Sequence, residues 1–411
     1  MQQFNFFKNT YLFIILPLFL VYSCKSNSQK TIEISKIKAD QEKKIIPGAY
    51  QLKKYLPLLQ DKNIAIVGNQ TSEINRTHLV DTLLALNIKI KKVFAPEHGF
   101  RGKASAGEHV KNSIDIKTGL PIISLYGKHK KPSAEDLKDI EIIVFDIQDV
   151  GARFYTYLST LHYVMEAAAE NNISIIVLDR PNPNSDYIDG PVLEKEVSSF
   201  VGLHPVPIVY AMTIGEYAKM INGEGWLKNG IKAKLSIIPI SHYKHGMIYK
   251  LPIKPSPNLP NYQAVRLYPS LCLLEGTDIS VGRGTDWPFQ IYGSPVLSKD
   301  KYKFTFTPHK NDASKWPKHE NKLCYGTDLR NITPLKAIYL DWLIQTYKDY
   351  PDKNIFFRKS FNRLAGNITL QEMIEQGKSV ADIKKTWQKP LNEFKKIRKK
   401  YLIYPDFTTS P

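Results

Sequence analysis

Cysteine is scarce in this chain, with three residues among 411. Cys24 belongs to an N-terminal segment with the features of an export signal, which leaves Cys272 and Cys324 in the mature protein. Two cysteines cannot build a disulfide framework or a cysteine-based metal cluster, so each is read as a buried thiol. We therefore predict no metal site.

Several catalytic and nucleotide-binding motifs are also absent. The first strand-turn, "VGNQTSE", has no G-x-G-x-x-G, which disfavours dinucleotide binding. There is no G-K-[ST] loop, no G-x-S-x-G elbow and no H-E-x-x-H helix. We expect a protein that works without a cofactor.

Acidic residues are outnumbered, with 39 aspartates and glutamates against 57 lysines and arginines, for a net charge of +18. This excess suits either an anionic cell envelope or a solvated lysine-rich surface. No motif interleaves basic and aromatic residues, so we expect no nucleic acid partner.

The first 24 residues have the features of a lipoprotein signal. Lys8 precedes an apolar run that is shorter than a bilayer-spanning helix and ends at Ser23-Cys24. We predict a cleaved signal over 1–24, lipidation of Cys24 and a flexible polar tether over 25–45. The protein would be exported and anchored by its lipid, facing the periplasm or the cell surface, with no other membrane contact.

Five short apolar runs alternate with amphipathic segments up to residue 180. The runs are continuously apolar, as expected for strands of a parallel sheet covered on both faces. The predicted helices between them are Thr77–Leu86, Ser133–Lys138 and Tyr155–Asn171. The predicted strands are "NIAIVG", "IKIKKVFA", "LPIISLY", "EIIVFDI" and "ISIIVLD". Strand-helix alternation predicts an α/β domain, which we place at 46–200.

Polar residues follow each predicted strand. Because the carboxyl ends of parallel strands lie at one edge of a sheet, these side chains should converge on a ligand-binding crevice. In chain order they are Asn69 and Gln70; Pro96, Glu97, His98 and Gly99; Tyr126 and Gly127; Asp146, Gln148, Asp149 and Arg153; and Asp179 and Arg180.

The pattern changes after residue 200. Residues 206–212 and 235–240 are predicted strands, and Thr213–Asn222 is a predicted helix. Glu216 sits three residues after Thr213, as in a capping box, so we interpret it as structural rather than catalytic. We predict a smaller mixed α+β domain over 201–411.

Glu97 and His98 form the sharpest candidate pair. A carboxylate and an imidazole at a strand end, beside Gly99 and Gly102, suit general acid-base chemistry close to a ligand. The structural alternative is that Glu97 pairs with Arg101 while His98 caps a helix.

Two further strand ends carry paired charges. Asp146 could hold a neighbouring base or bind hydroxyls, while Asp149 and Arg153 could instead satisfy each other. Arg180 could clamp an anionic group with its planar fork, or form a structural turn with Asp179.

A glycine-rich stretch near the middle of the second half, "LEGTDISVGRGTDWPFQ", resembles a sugar site in composition. Carboxylates and a guanidinium, including Glu275 and Arg283, can bind hydroxyls or an acid substituent. Trp287 and Phe289 can stack on a sugar ring. The alternative is a glycine-rich loop packed by its own aromatic residues.

Four motifs together resemble the NamZ/YbbC-like exo-β-N-acetylmuramidase family, from about residue 63 to the C-terminus. They are "PEHGFRG" (96–102), "DIQDVGAR" (146–153), "DRPNP" (179–183) and "EGT" (275–277) through "GRGT" (282–285). Membership would imply a Rossmann-like N-terminal domain, a C-terminal α/β domain and a cleft between them. It would also imply release of N-acetylmuramic acid from non-reducing ends of peptidoglycan fragments, without nucleotide or metal.

The resemblance makes Glu97 the leading catalytic carboxylate. We predict Glu97 as general acid/base, Glu275 as second carboxylate and His98, Asp146 or Asp149 as orienting groups. Arg153 or Arg283 would bind the lactyl carboxylate of the sugar. The other predicted substrate-binding residues are Asn69, Arg101, Gln148, Tyr155, Asp179, Arg180 and Thr285.

Two alternatives come from other classes. An envelope ester or amide hydrolase would act on acyl substrates and not on a muramide. A non-catalytic lipoprotein that binds wall fragments would bind sugar without turnover.

Overall fold

A computed structural model describes residues 44–102 and 112–407. Residues 45–407 belong to one compact unit. Cys24 and almost all of the predicted tether lie outside the described residues. Within the described ranges, none of the helices combines the length and the apolar character needed to cross a membrane.

The main sheet has seven strands among the described residues, in the order β5-β6-β4-β1-β7-β8-β9. All neighbouring strands are parallel except the edge strand β5, which runs antiparallel to β6. The strands are β1 (Ile64–Gly68), β4 (Ile90–Ala95), β5 (Ser113–Ile114), β6 (Pro121–Ser124), β7 (Ile142–Asp146), β8 (Ser174–Leu178) and β9 (Lys234–Ile238). The five predicted strands and the parallel α/β class are confirmed.

Alternate residues of each central strand enter two separate apolar layers. In β1, Ile64 and Ile66 pack on one face of the sheet, whereas Ala65 and Val67 pack on the other. Helices cover both faces of the sheet and exclude water from them. Both faces of each strand are therefore apolar, which explains the continuous apolar runs in the sequence. Helices α1 (Leu52–Leu59) and α2 (Leu79–Ala85) cover the first face; α3 (Tyr157–Glu170) and α4 (Ile214–Gly223) cover the second.

The C-terminal part of the chain combines helices with a small antiparallel sheet, as the mixed α+β prediction required. Its sheet has the order β10-β12-β11, and a separate two-stranded hairpin, β2 and β3, follows β1. These elements are β2 (Glu73–Ile74), β3 (Thr77–His78), β10 (Ile291–Ser294), β11 (Phe304–Phe306), β12 (Cys324–Asp328), α5 (Tyr262–Glu275), α6 (Asp341–Asp349), α7 (Lys353–Phe356), α8 (Phe361–Ala365), α9 (Thr369–Glu375) and α10 (Val380–Lys399).

One apolar cluster joins the two parts. It contains Leu161 of α3, Leu271 of α5 and Trp387 of α10. The strand β9 pairs with β8, so the main sheet takes its last strand from beyond residue 200. The domain limits placed at residues 46, 200 and 201 stay predictions.

The predicted helix Thr77–Leu86 begins later than expected. Thr77 and His78 pair with β2 as a strand, and α2 starts at Leu79. The His78 side chain accepts a hydrogen bond from the Val80 N–H, which caps the helix.

Two other predicted elements are wrong. Ser133–Lys138 forms turns rather than a helix. Ser133 and Asp136 bond to each other's backbone N–H groups as in a capping box, but Asp139 has a positive φ of 60°, which ends the segment after one turn. Residues 206–212 form isolated bridges at Val209 rather than a strand. Pro207 has no N–H to donate to a ladder, and Ala211 has a positive φ of 51°.

Candidate active site

One cavity brings together residues that lie far apart in the sequence. It has a volume of about 210 Å³, and its walls include Glu97 from the turn after β4 and Glu275 from the end of α5. The other wall residues are His98, Tyr126, Phe154, Tyr155, Thr156, Phe200, Val201, Ser256, Leu259, Tyr268, Cys272, Arg283, Phe289 and Leu364. The predicted convergence of strand-end residues thus holds for Glu97, His98 and Tyr126.

The turn after β4 holds the backbone of Glu97 and His98 in a defined shape. The Gly99 N–H donates to the Pro96 carbonyl at 3.0 Å, and His98 has a positive φ of 71°. Left-handed backbone is uncommon outside glycine, although asparagine, aspartate and histidine are enriched there. The conformation turns the chain back sharply at the end of the strand.

Neutral hydroxyl groups hold the Glu97 carboxylate. Thr156 lies just before α3, and its Oγ1 atom donates to Glu97 Oε2 at 2.9 Å. The hydroxyl of Tyr126, which follows β6, also bonds to the Glu97 side chain, and burial together with the Glu97 charge raises the pKa of Tyr126. Glu97 is therefore oriented from two elements that border the cavity.

Glu275 is held by a cation instead. Arg283 Nε and Nη2 donate to its two carboxylate oxygens at 2.6 and 2.8 Å. Burial raises the pKa of Glu275, but the Arg283 and Lys318 charges outweigh that effect, so the pKa is lowered overall. Glu275 is an ionised carboxylate in the cavity wall.

Aromatic rings form much of the remaining wall. Tyr268 packs edge-on against Phe289 at 4.9 Å between ring centroids and against Phe154 at 5.2 Å. Phe200 is half-buried and lies on the same cavity. Aromatic faces of this kind suit the apolar face of a sugar ring.

Asp146 and Arg180 lie away from this cavity. Arg180 Nε and Nη2 donate to the two Asp146 oxygens at 2.6 and 2.9 Å, and Asp146 is fully buried. The two groups neutralise each other's charge, and their ion pair links the end of β7 to the turn after β8.

Asp149, Gln148 and Asn69 are buried in a hydrogen-bond network behind the cavity. Burial raises the pKa of Asp149 to about 6, although the Tyr210 hydroxyl and backbone N–H groups favour its ionised form. Gln148 donates to the Asp149 and Pro181 carbonyls, and Asn69 donates to the Tyr157 hydroxyl at 2.9 Å.

Asp179 and Glu216 occupy a second buried network. Asp179 accepts hydrogen bonds from the hydroxyls of Thr213 and Tyr404 at 2.7 and 2.6 Å, and burial raises its pKa to about 7. Glu216 completes the predicted capping box with Thr213, which is confirmed.

Two predicted arginines serve other partners. Arg101 pairs with Asp115 at 2.7 Å and Asp81 at 3.2 Å, in the wall of a second, more open cavity of about 540 Å³ that also borders His98. Arg153 is buried and donates to four carbonyls, those of Pro191, Val206, Leu364 and Ala365, at 2.6 to 2.9 Å. Burial lowers the pKa of Arg153 to about 9. Since the last two carbonyls are in α8, Arg153 fastens the loop after β7 to the C-terminal part.

Tyr155 and Thr285 complete the predicted set. Tyr155 lines the cavity and donates to the Pro255 carbonyl at 2.7 Å. The hydroxyl of Thr285 instead donates to the Gly282 carbonyl at 2.7 Å and accepts from the Trp287 N–H, which shapes the turn that carries Arg283.

Several wall residues were not predicted as site residues. Tyr126 was expected at the crevice, because it directly follows the third predicted strand, but it was given no role. Thr156 lies next to Tyr155, a predicted binding residue, so its position was a usable signal. Phe200, Ser256 and Tyr268 come from segments whose sequence pattern carries no such signal. Among the described residues, no group of three or more His, Cys, Asp or Glu side chains is placed to hold a metal ion.

Comparison with family models identifies both parts of the chain. Residues 64–263 match the model described as "Exo-beta-N-acetylmuramidase NamZ, N-terminal", and residues 266–404 match the corresponding C-terminal model. A relative from Bacillus subtilis, "Peptidoglycan beta-N-acetylmuramidase NamZ", is 42% identical over 377 residues, covering 85% of this chain and 89% of that protein.

Solved structures with the same fold come from Bacteroides fragilis. One DUF1343 family protein is 46% identical with a TM-score of 0.83, over 89% of this chain and all of that one. A second is 29% identical with a TM-score of 0.77, over 88% of this chain and 99% of that one.

The buried Asp146–Arg180 pair generates a stability prediction. Asp146→Asn should lower the free energy of unfolding by about 3 to 5 kcal/mol, because it leaves the Arg180 charge buried without its partner. Chemical denaturation measures this change. The control is Glu141→Gln, which removes the partner of Lys62 in an exposed pair and should change stability little. Equal stability of Asp146→Asn and the wild type would contradict the assignment.

Proposed function

The chain belongs to the NamZ exo-β-N-acetylmuramidase family, and on that basis we propose that it releases N-acetylmuramic acid from the non-reducing ends of peptidoglycan-derived saccharides. The family resemblance predicted from the motifs is confirmed. So is the enzyme class, a glycoside hydrolase, which the Bacillus subtilis relative also has by name.

The main structural support for this proposal is that Glu97 and Glu275 line the same cavity. Glycoside hydrolysis ordinarily needs two carboxyl groups around one glycosidic bond. The cavity of about 210 Å³ is also smaller than the roughly 300 to 1,000 Å³ of most small-molecule pockets, which suits a single terminal sugar. A site for one terminal sugar supports an exo-acting enzyme.

In the mechanism that we propose, Glu97 is the general acid/base. Its partners Thr156 and Tyr126 are hydroxyl groups, which can accept a hydrogen bond from the protonated carboxyl as well as donate to the ionised one. Glu97 gives its proton to the glycosidic oxygen as the bond to the anomeric carbon breaks. It then takes a proton from the water that adds to that carbon.

Glu275 has the complementary role. Arg283 and Lys318 keep it ionised, so it can stabilise the positive charge that develops at the anomeric centre or orient the 2-acetamido group of the sugar. Two carboxyl groups with different neighbours can in this way divide the work of one reaction. His98, beside Glu97 in the wall, is proposed to orient that carboxylate.

We assign the lactyl carboxylate to Arg283. Of the four predicted arginines, all within the described residues, Arg283 alone lies on the cavity that contains both carboxylates. Its bond to Glu275 uses Nε and Nη2, and its Nη1 atom is buried without a hydrogen-bond partner among the described residues. A guanidinium can hold two carboxylates side by side.

The role of Glu97 predicts a dependence on the leaving group. Glu97→Gln should lower kcat/KM for a muramoyl disaccharide by about 10² to 10⁴, since protonation of the sugar oxygen is lost. A 4-nitrophenyl N-acetylmuramide, whose leaving group needs little protonation, should be affected much less. Product analysis and nitrophenol release measure the two rates. Glu135→Gln, an exposed glutamate, is the matched control. Full turnover of the disaccharide by Glu97→Gln would remove Glu97 from the mechanism.

The role of Arg283 predicts a loss of charge selectivity. The wild type should bind N-acetylmuramic acid about ten- to a hundredfold better than its lactyl amide, as a charge-assisted hydrogen bond contributes about 1.5 to 3 kcal/mol. Arg283→Met should bind the two equally, measured as competitive inhibition constants. Arg101→Met is the control and should keep the preference for the acid over the amide. If Arg101→Met loses this preference instead, the lactyl group binds in the second cavity, which Arg101 and His98 line, and the assignment to Arg283 is wrong.

We also propose, from the sequence alone, that the protein is exported and anchored through lipidated Cys24. Cys24→Ala should move the protein from the membrane fraction to the soluble fraction of bacterial cells and abolish incorporation of labelled fatty acid, because the acylated residue is gone. Cys272→Ala, which alters a buried thiol, is the control and should stay in the membrane fraction. Labelling of Cys24→Ala at the wild-type level would refute the anchor.

A further inference from the structure

Lys318 reaches the end of the helix that carries Glu275. Its Nζ atom donates to the carbonyl oxygens of Thr277, Ile279, Glu275 and Leu274 at 2.7, 3.0, 3.0 and 3.4 Å. The family motifs predicted from the sequence do not include this lysine, and the proposed mechanism uses only its charge.

The position of this ammonium group has a physical reason. The last carbonyls of α5 have no donors within the helix, and they form the negative end of its dipole. An ammonium group has three N–H donors and a full positive charge. It bonds here to two carbonyls of the last turn of α5, those of Leu274 and Glu275, and to two of the turn that follows, those of Thr277 and Ile279. Lys318 therefore fixes the turn from Leu274 to Ile279, on which Glu275 stands.

The same charge acts on the Glu275 carboxylate. Burial raises the pKa of Glu275, while Arg283 and then Lys318 lower it. Burial lowers the pKa of Lys318 to about 8, against the opposing effect of Glu275. Lys318 is consequently charged throughout the acidic range in which Glu275 would take up a proton.

Other charged groups around Lys318 have partners of their own. Asp278, on the turn after α5, is bonded by Arg358 at 3.1 Å and by the Tyr350 hydroxyl at 2.5 Å. The His319 ring bonds to the Asp278 carbonyl, and burial lowers the pKa of His319. Arg283 is paired with Glu275. The Lys318 charge thus remains directed at the helix end and at Glu275.

We propose that Lys318 is a positioning residue for the hydrolytic reaction: it fixes the turn that carries Glu275 and keeps that carboxylate ionised. This inference rests on the proposed function of Glu275. It adds a cation, behind the cavity wall and out of contact with the sugar, to the residues on which activity depends.

The test is the acidic limb of the pH profile of kcat/KM, measured with the 4-nitrophenyl muramide. Lys318→Met removes a positive charge, so the pKa of Glu275 rises and activity is lost at a higher pH. We expect the limb to move up by about one pH unit, which is about a tenfold loss of kcat/KM on the acidic side. The exposed Lys322→Met, in the same segment, should leave the limb in place.

A second variant separates charge from hydrogen bonding. Lys318→Gln keeps a donor for the carbonyls but has no charge, so it should move the limb as Lys318→Met does while losing less thermal stability. If both variants lose stability but keep the wild-type limb, Lys318 supports the fold alone and the proposal is overturned.

Failure of this inference is distinguishable from failure of the proposed function. A ¹³C NMR titration of Glu275 in the wild type and in Lys318→Gln reports its pKa without turnover, and we expect a rise of about one unit in the variant. An unchanged Glu275 pKa would overturn the role of Lys318. Glu275→Gln with wild-type kcat/KM would instead remove Glu275 from the proposed mechanism.

Discussion

A charge removed from water needs an opposite charge or several polar groups as partners, and this constraint organises both the carboxyl edge of the sheet and the end of α5. Arg180 forms an ion pair with Asp146, Arg101 with Asp115, and Arg283 with Glu275. Arg153 meets four main-chain carbonyls instead. The pairs that close on themselves build the scaffold, while the Glu275–Arg283 pair keeps one side on the cavity.

The contrast between the two cavity carboxylates follows from that arrangement. Glu275 stands at a helix end surrounded by cations, which hold it in one charge state. Glu97 accepts hydrogen bonds from hydroxyl groups of two loops, those of Thr156 and Tyr126. A glycosidase can use one carboxyl group to give and take a proton and a second one that stays ionised. Because Glu97 comes from the sheet and Glu275 from the helix that follows, the joint core of the two parts also determines the site geometry.

The sequence was most informative where local pattern and burial agree. Continuous apolar runs predicted the five central strands, and strand-end position predicted that Glu97 and His98 face a cavity. Position in the sequence could not show that Glu97 lines the cavity whereas Asp146 is buried in an ion pair. Both residues follow or end a strand, and only their side-chain partners differ. Phe200 and Lys318 carry no local signal, because their roles depend on contacts with residues far along the chain. The segment 206–212 is apolar enough for a strand, but Pro207 interrupts its hydrogen bonding.

The central claim is that one sugar occupies the cavity between Glu97 and Glu275, with its acid group on Arg283. A crystal structure of the Glu97→Gln variant with a bound muramoyl disaccharide tests it most directly. The account predicts the glycosidic oxygen within hydrogen-bond distance of the side chain at position 97 and the lactyl carboxylate on Arg283. A disaccharide bound instead in the cavity beside Arg101 and Lys117, with both carboxyl groups remote from its glycosidic bond, would contradict it.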